Sequence, residues 1–327
     1  MAGRMHSCIR PVLHAGNAGV LPIHAPRLGL CCQFLDAPIH FRRATHKYVS
    51  SLDAALGRAH LVDILRDNAS ALVAAVQHCS DIGIGSFRVS SQILPLATHP
   101  VSGYNLNEMD EHGDIRTLFG AAKTLATELD IRLSFHPDQF VVLNSERHTV
   151  VEASVEEMRV QGEIAVLCGA DVLTLHAGSS AGGTAASLER LERGIEALSP
   201  AARVRLALEN DDRRFTPASL FPLCERLAVP LVYDVHHHRC NPDTLSVTEA
   251  TEMARSTWRE REPHFHISSP RDGWGAADTR PHADYVIPDD FPDAWRGQCI
   301  TVDVEAKAKE RAVLALREAL SSQPAHP

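Results

Sequence analysis

LVYDVHHH, residues 231–238, is a short apolar run that ends in a carboxylate and three imidazoles. Its β-branched and aromatic residues suit a buried strand, and Asp234 stands where that strand stops. The arrangement repeats along the chain. RLSFHPDQF ends its run at His136, VLTLHAG at His176, VRLALENDD at Glu209, HFHISS at His266 and ITVDVEAK at Glu305, while RPHADY carries His282. Strand-like segments fall at 27–32, 85–90, 131–136, 171–176, 203–209, 229–234, 263–268 and 299–304. Helical patterns lie between them, clearest at 66–80, 115–129, 148–168, 185–197, 216–227, 245–257 and 306–320, and the seventh connection, 269–298, reads as loop. Eight alternating units predict a single (β/α)8 TIM barrel. Closure gathers the C-terminal ends of the strands around one axis, so the ligands are expected in one multinuclear metal site. An open doubly wound sheet is the alternative, but it seldom carries ligands on so many strands. No GxGxxG or P-loop pattern is present, so no dinucleotide site is implied.

The 327 residues suit one large α/β domain, expected over 27–320, with a poorly ordered extension at 1–26 and a loose tail at 321–327. No run approaches the ~18 apolar residues of a membrane span. Eight scattered cysteines without a CxxC pair read as reduced, mostly buried thiols of a cytoplasmic protein, with a reactive Cys31–Cys32 pair as the alternative. A net charge of −9 argues mildly against a nucleic-acid partner, although bound cations or a local Arg patch reverse the sign within a groove. Only four of the 32 basic residues are Lys. Arg suits phosphate contacts, but genomic base composition is the preferred explanation of that bias.

The ligand candidates are His136, His176, Glu209, Asp234, His237, His266, His282 and Glu305. Imidazole beside carboxylate suits divalent transition metals. Within HHH not all three rings can face inward; His237 is the expected ligand, and His236 and His238 are supporting or surface groups. Asp211 and Asp212 either support the site or cap a turn. His264 and His266 are two apart on one strand and share a face. His266 lies nearer the strand end, and His264 sits one layer deeper, either at metal or as a hydrogen-bonded core residue. Gln139 and Phe140 project from a Pro-Asp turn, where an exposed ring beside a metal cleft suggests contact with a planar ligand; the alternative is a ring that anchors its own loop.

FRVSSQILPLATHP (87–100), FHPDQFVVLNSE (135–146), LHAG (175–178), LALENDD (206–212), YDVHHH (233–238) and DVEAKAKERA (303–312) together resemble the UV damage endonuclease family, in the expected order. The resemblance implies a TIM barrel with two or three divalent ions, manganese foremost, with Mg²⁺, Zn²⁺, Co²⁺ and Fe²⁺ as alternatives. It implies incision of double-stranded DNA immediately 5′ to a pyrimidine dimer, a 6-4 photoproduct or an abasic site. The eight ligand candidates match the family's ligands, with Glu209, Asp234, His237 and Glu305 expected in catalysis. Gln139 and Phe140 match the pair that wedges into the duplex. Three departures stand out. Leu30 and Phe34 in RLGLCCQF replace a Tyr and an Asn, and His264 replaces a carboxylated Lys and is expected to take over its place in the catalytic site. Phosphate contacts are expected from Arg88, Ser90, Arg213, Arg214 and Arg271, in a protein that works as a monomer. The second reading is a diverged barrel metalloenzyme, an iron-dependent oxidase or an isomerase, acting on a small molecule or peptide. A non-catalytic binding protein would require a broken ligand set, which the chain does not show.

Overall fold

A computed structural model describes residues 26–322. The expectations for an extension before residue 26 and for the end of the tail, and Cys8, lie outside the described residues. Strands β1 (Arg27–Cys31), β2 (Ser86–Val89), β3 (Arg132–Phe135), β4 (Val172–His176), β5 (Leu206–Glu209), β6 (Leu231–Asp234), β7 (His264–Ile267) and β8 (Thr301–Val304) follow one another around a closed parallel barrel. β8 closes on β1 with Gly29 opposite Asp303. Every strand falls within its expected segment. Parallel neighbours require crossovers, and long helices supply them at Ala54–Asp81, Asp114–Glu128, His148–Cys168, Thr184–Glu196, Pro217–Leu227 and Val247–Thr257, with Glu310–Ser322 after β8. Between β7 and β8 only single 3₁₀ turns form, at Pro288–Asp290 and Asp293–Trp295. That connection is rich in Pro and Gly.

Three boundaries differ from the sequence expectation, each for a local reason. The first long helix starts at Ala54 rather than 66, because Asp53 caps it by accepting from the Leu56 N–H. β5 starts at Leu206 rather than 203, because Pro200–Arg203 forms a helical turn capped by Ser199. The last helix starts at Glu310 rather than 306, because Lys309 adopts φ 50°, a left-handed conformation that interrupts a helix.

Strand alternation divides the barrel into two environments. Leu28, Leu30, Phe87, Val89, Leu133, Phe135, Tyr233, Phe265, Val302 and Val304 face outward into one apolar mantle shared with the helices. The opposite faces line the lumen. Its floor is apolar: Val172, Ala207 and Val232 pack with Trp258, whose indole N–H donates to the Leu231 carbonyl at 2.8 Å. Above that floor the lumen is polar. Leu30 is therefore a mantle residue, and Phe34, nearly buried, stacks on Phe87 with centroids 5.5 Å apart. Burial raises the Cys31 and Cys32 thiols, opposed by Arg88.

The floor and the caps contribute on different scales. Trp258→Ala is expected to cost about 3–5 kcal/mol in urea unfolding. Ser246→Ala, which removes one side of the capping box at the start of Val247–Thr257, is expected to cost about 1 kcal/mol. A Trp258→Ala loss no larger than that of Ser246→Ala would show that the barrel floor is not a stabilising plug.

Candidate metal centre

Glu209 ends β5 inside the barrel with no exposed surface. Imidazoles from elements all around the barrel surround its carboxylate. His136 Nε2 lies 2.8 Å from Oε2, and His266 Nδ1 lies 2.9 Å from Oε1. His176 Nδ1 is 3.4 Å from Oε2, and His237 Nδ1 is 3.5 Å from Oε1. Contacts that span from β3 to β7 are possible only through the lumen. Asp234 ends β6, caps the turn Val235–Cys240 by accepting from the His237 N–H at 2.7 Å, and approaches the His237 ring at 3.5 Å. Asn210 fixes both: it accepts from the Asp234 N–H through its side chain at 3.0 Å, and its carbonyl meets His237 Nδ1 at 3.1 Å.

Glu305 completes the rim beyond β8. His266 Nδ1 lies 3.4 Å from it and His282 Nδ1 3.6 Å. His282 reaches this position because an antiparallel bridge to Pro270 folds the seventh connection back over the barrel. All eight expected ligands therefore belong to one continuous cluster. Two triads in it, His136–Glu209–His266 and Glu209–Asp234–His237, place donor atoms within 4.8 Å of one another.

The donor set fits a divalent ion on two counts. Asp234 Oδ2 and His176 Nδ1 are buried without hydrogen-bond partners, which a ligand would supply. The carboxylates also concentrate negative charge at the site, which a cation would balance in place of the imidazole protons. Burial would raise the Glu209 carboxyl, but the imidazoles of His176, His266 and His136 hold it well below the usual range. Burial would likewise raise Glu305, but Arg88 and His266 hold it down. Burial opposes charge on His237 and His266, yet the surrounding carboxylates push each up to about 9. Burial lowers His176.

The structure separates the remaining candidates. His238 sits between the Tyr233 hydroxyl at 2.7 Å and Asp243 at 3.0 Å, and His236 meets the Arg280 carbonyl at 3.2 Å and packs against Trp274. Both are supporting groups. Asp211 caps its turn by accepting from the Arg213 and Arg214 N–H groups, at 2.8 and 2.6 Å. Arg88, expected at phosphate, is instead tied to Glu305 and stands only 12% exposed. Arg213, Arg214 and Arg271 are exposed, and Arg271 pairs with Asp272 at 2.7 Å. Ser90 lines a cavity of about 220 Å³ with Cys32, Arg42, Arg43 and Gln92. Phe140 is 77% exposed and Gln139 is exposed beside it, so the ring does not anchor its loop. His264 lies below the rim, beside Asp303, a residue that did not figure among the candidates. Counting back two from Glu305 along the strand would have placed Asp303 on the inner face.

A closed barrel with candidate metal-binding clusters at its C-terminal rim is the architecture of a TIM-barrel enzyme. Within that class the sequence match is decisive. The family described as UV-endonuclease UvdE matches residues 26–325, and the chain belongs to that family. It is 34% identical over 307 residues to the UV DNA damage endonuclease of Deinococcus radiodurans, covering 89% of this chain and 95% of the relative. The solved structure of SacUVDE superposes with a TM-score of 0.80 at 26% identity, covering 90% of this chain and 98% of that one. Endonuclease IV from Thermus thermophilus shares the fold, with a TM-score of 0.60 at 18% identity over 91% of this chain and 100% of that one. No helix among the described residues is long and apolar enough to cross a membrane.

Glu209→Gln, His237→Ala and Glu305→Gln are each expected to lose bound divalent metal while remaining folded, as elemental analysis and circular dichroism would show. Asn210→Ala, which removes the side-chain amide that bonds the Asp234 N–H and carbonyl without removing a ligand, is expected to weaken metal affinity by about 10–100-fold. Full metal occupancy in the three ligand variants would dissociate these residues from the centre.

Proposed function

We propose that this chain nicks damaged double-stranded DNA immediately 5′ to UV photoproducts or abasic lesions, leaving 3′-hydroxyl and 5′-phosphate ends. One observation carries the reading: the rim that gathers eight ligand candidates from six strands and the connections after them also bears an exposed Gln139–Phe140 pair, three and four residues beyond His136. A small-molecule isomerase or oxidase has no evident use for a solvated ring at that position. The family membership points the same way.

His136, His176, Glu209, Asp234, His237, His266, His282 and Glu305 hold the ions, two or three in number. Mn²⁺ is the foremost ion on the family resemblance, with Mg²⁺, Zn²⁺, Co²⁺ and Fe²⁺ as alternatives. Such ions supply Lewis-acid charge to activate water and to stabilise the departing 3′ oxygen. The protein's own residues do the rest. Arg88 keeps Glu305 ionised and aimed at the rim, and Asn210 holds Asp234 and His237. Ser90, Arg213, Arg214 and Arg271 contact phosphates, which offsets the chain's net negative charge locally. Phe140 enters the base stack with Gln139. That insertion costs a few kcal/mol per unstacked step, and a damaged, poorly stacked base lowers the cost and so selects the lesion. Residues 27–320 form the catalytic domain, which acts as a monomer. The buried thiols fit a cytoplasmic setting.

Purified protein incubated with Mn²⁺ and an end-labelled, UV-irradiated duplex is expected to cut it next to the lesion and to spare the unirradiated duplex. Equal cutting of both, or iron- and oxygen-dependent turnover of a small molecule, would favour the diverged metalloenzyme. Phe140→Ala is expected to lose roughly 5- to 150-fold in preference for damaged duplex, the scale of one base–aromatic stack of ~1–3 kcal/mol. Its melting temperature should not change, because the ring is exposed. Unchanged preference in matched binding titrations would remove the wedge.

A further inference from the structure

The layer beneath the metal rim is unusual for the inside of a barrel. Such interiors are commonly filled by bulky branched side chains. Here the inward positions one step down are Gly29, Ser86, Ser134, Thr174, His264 and Asp303, with only Ala207 and Val232 apolar and bearing a side chain. The hydroxyls of Ser86, Ser134 and Thr174, both ring nitrogens of His264 and both oxygens of Asp303 are buried and lack hydrogen-bond partners. Such groups are costly to leave unpaired in a protein interior. His264 Nε2 approaches Asp303 Oδ2 to 3.1 Å, but without hydrogen-bond alignment.

His266 links this layer to the rim. Its Nδ1 contacts Glu209, whose carboxylate can only accept, so that nitrogen carries a hydrogen. Its Nε2 is the nitrogen left facing downward, 3.9 Å from Asp303 Oδ2 and without a partner. A carboxylate that fixes one imidazole nitrogen and leaves the other for a ligand is a common support for metal-binding histidines. Gly29 leaves room for the carboxylate: a Cβ there would lie 2.2 Å from Asp303 Oδ1.

We propose that His264, His266 and Asp303 form a further divalent-cation site inside the barrel, one strand period below the rim, in which His266 ligates through Nε2 instead of joining the rim ions, which are left to the other seven candidates. Their donor atoms already lie within 4.8 Å of one another. The period places the site about 6–7 Å beneath the rim ligands. Two imidazoles and one carboxylate suit Zn²⁺, Co²⁺ or Fe²⁺ better than Mg²⁺ or Ca²⁺, which prefer oxygen. The Ser86 and Ser134 hydroxyls belong to the same layer and give the cavity a polar wall. The site rests on the lumen geometry alone and goes beyond the nuclease reading. It would remain if the chain cut no DNA.

The full chain, stripped by chelator and dialysed against Co²⁺, tests this by metal counting. Wild type is expected to retain one more Co²⁺ per chain than Asp303→Asn or His264→Gln, with a matching loss of visible cobalt absorption. Circular dichroism identifies the folded variants. Equal Co²⁺ content in wild type and both folded variants would overturn the site and leave His264 and Asp303 as a buried ion pair. Should the variants fail to fold, anomalous diffraction from Co²⁺-loaded wild-type crystals decides: a peak bounded by the three side chains supports the site, and none there overturns it. Incision of irradiated duplex, measured separately on wild type, tests the nuclease reading and leaves the metal count unaffected.

Discussion

The contact between Glu209 and the imidazoles around it is the interaction on which the rest of the structure depends. A carboxylate with no exposed surface is expensive in a protein interior, and this one is compensated by rings from His136, His176, His237 and His266. Those rings come from elements separated by as much as half the barrel. The parallel barrel brings them together, because it points every strand's C-terminal end at the same axis. The cost of burying the centre's charges is offset outside the lumen, by an apolar mantle that runs without interruption between strands and helices.

The lumen itself is graded. Val172, Ala207, Val232 and Trp258 close the floor, serines, Thr174, His264 and Asp303 occupy the middle, and the main ligands form the rim. Parallel strands buried on both faces usually read as continuous hydrophobic runs. These strands depart from that rule on the inner face only, in the upper layers and again at the base, where Arg132 donates to the Thr301 hydroxyl at 3.1 Å and Arg27 pairs with Glu262 at 3.3 Å. The outward positions of the same strands keep their Leu, Val and Phe residues, so stability and chemistry are assigned to opposite faces of one sheet.

Around the rim, the connections divide their tasks. The loop after β3 presents Gln139 and Phe140 to solvent. The turn after β5 is held by Asp211 and exposes Arg213 and Arg214. The long connection after β7 forms no long helix because it must fold back, through the bridge between Pro270 and His282, to deliver its imidazole to Glu305. Its Pro- and Gly-rich composition suits that path.

By itself the sequence determined the order of strands and helices, because the strands are short apolar runs, six of them followed by a ligand candidate at or just past the end, and helical patterns separate all but the seventh and eighth. It also determined which face His264 shares with His266, since strand alternation is a property of the backbone. Only the tertiary structure decided which charges meet. Arg88 read as a phosphate contact and is an ion-pair partner of Glu305, 217 residues away. Leu30 and Phe34, which stand in place of a Tyr and an Asn of the family, belong to the core. The sequence ranks His237 above His236 and His238, and the turn Val235–Cys240 is what aims its ring at Glu209 and theirs at Arg280 and Asp243. Asp303 looked like one acidic residue in an apolar strand. Local periodicity records which face a residue takes, but closure of the barrel sets what lies across from it, and that distance in space has no counterpart in sequence spacing.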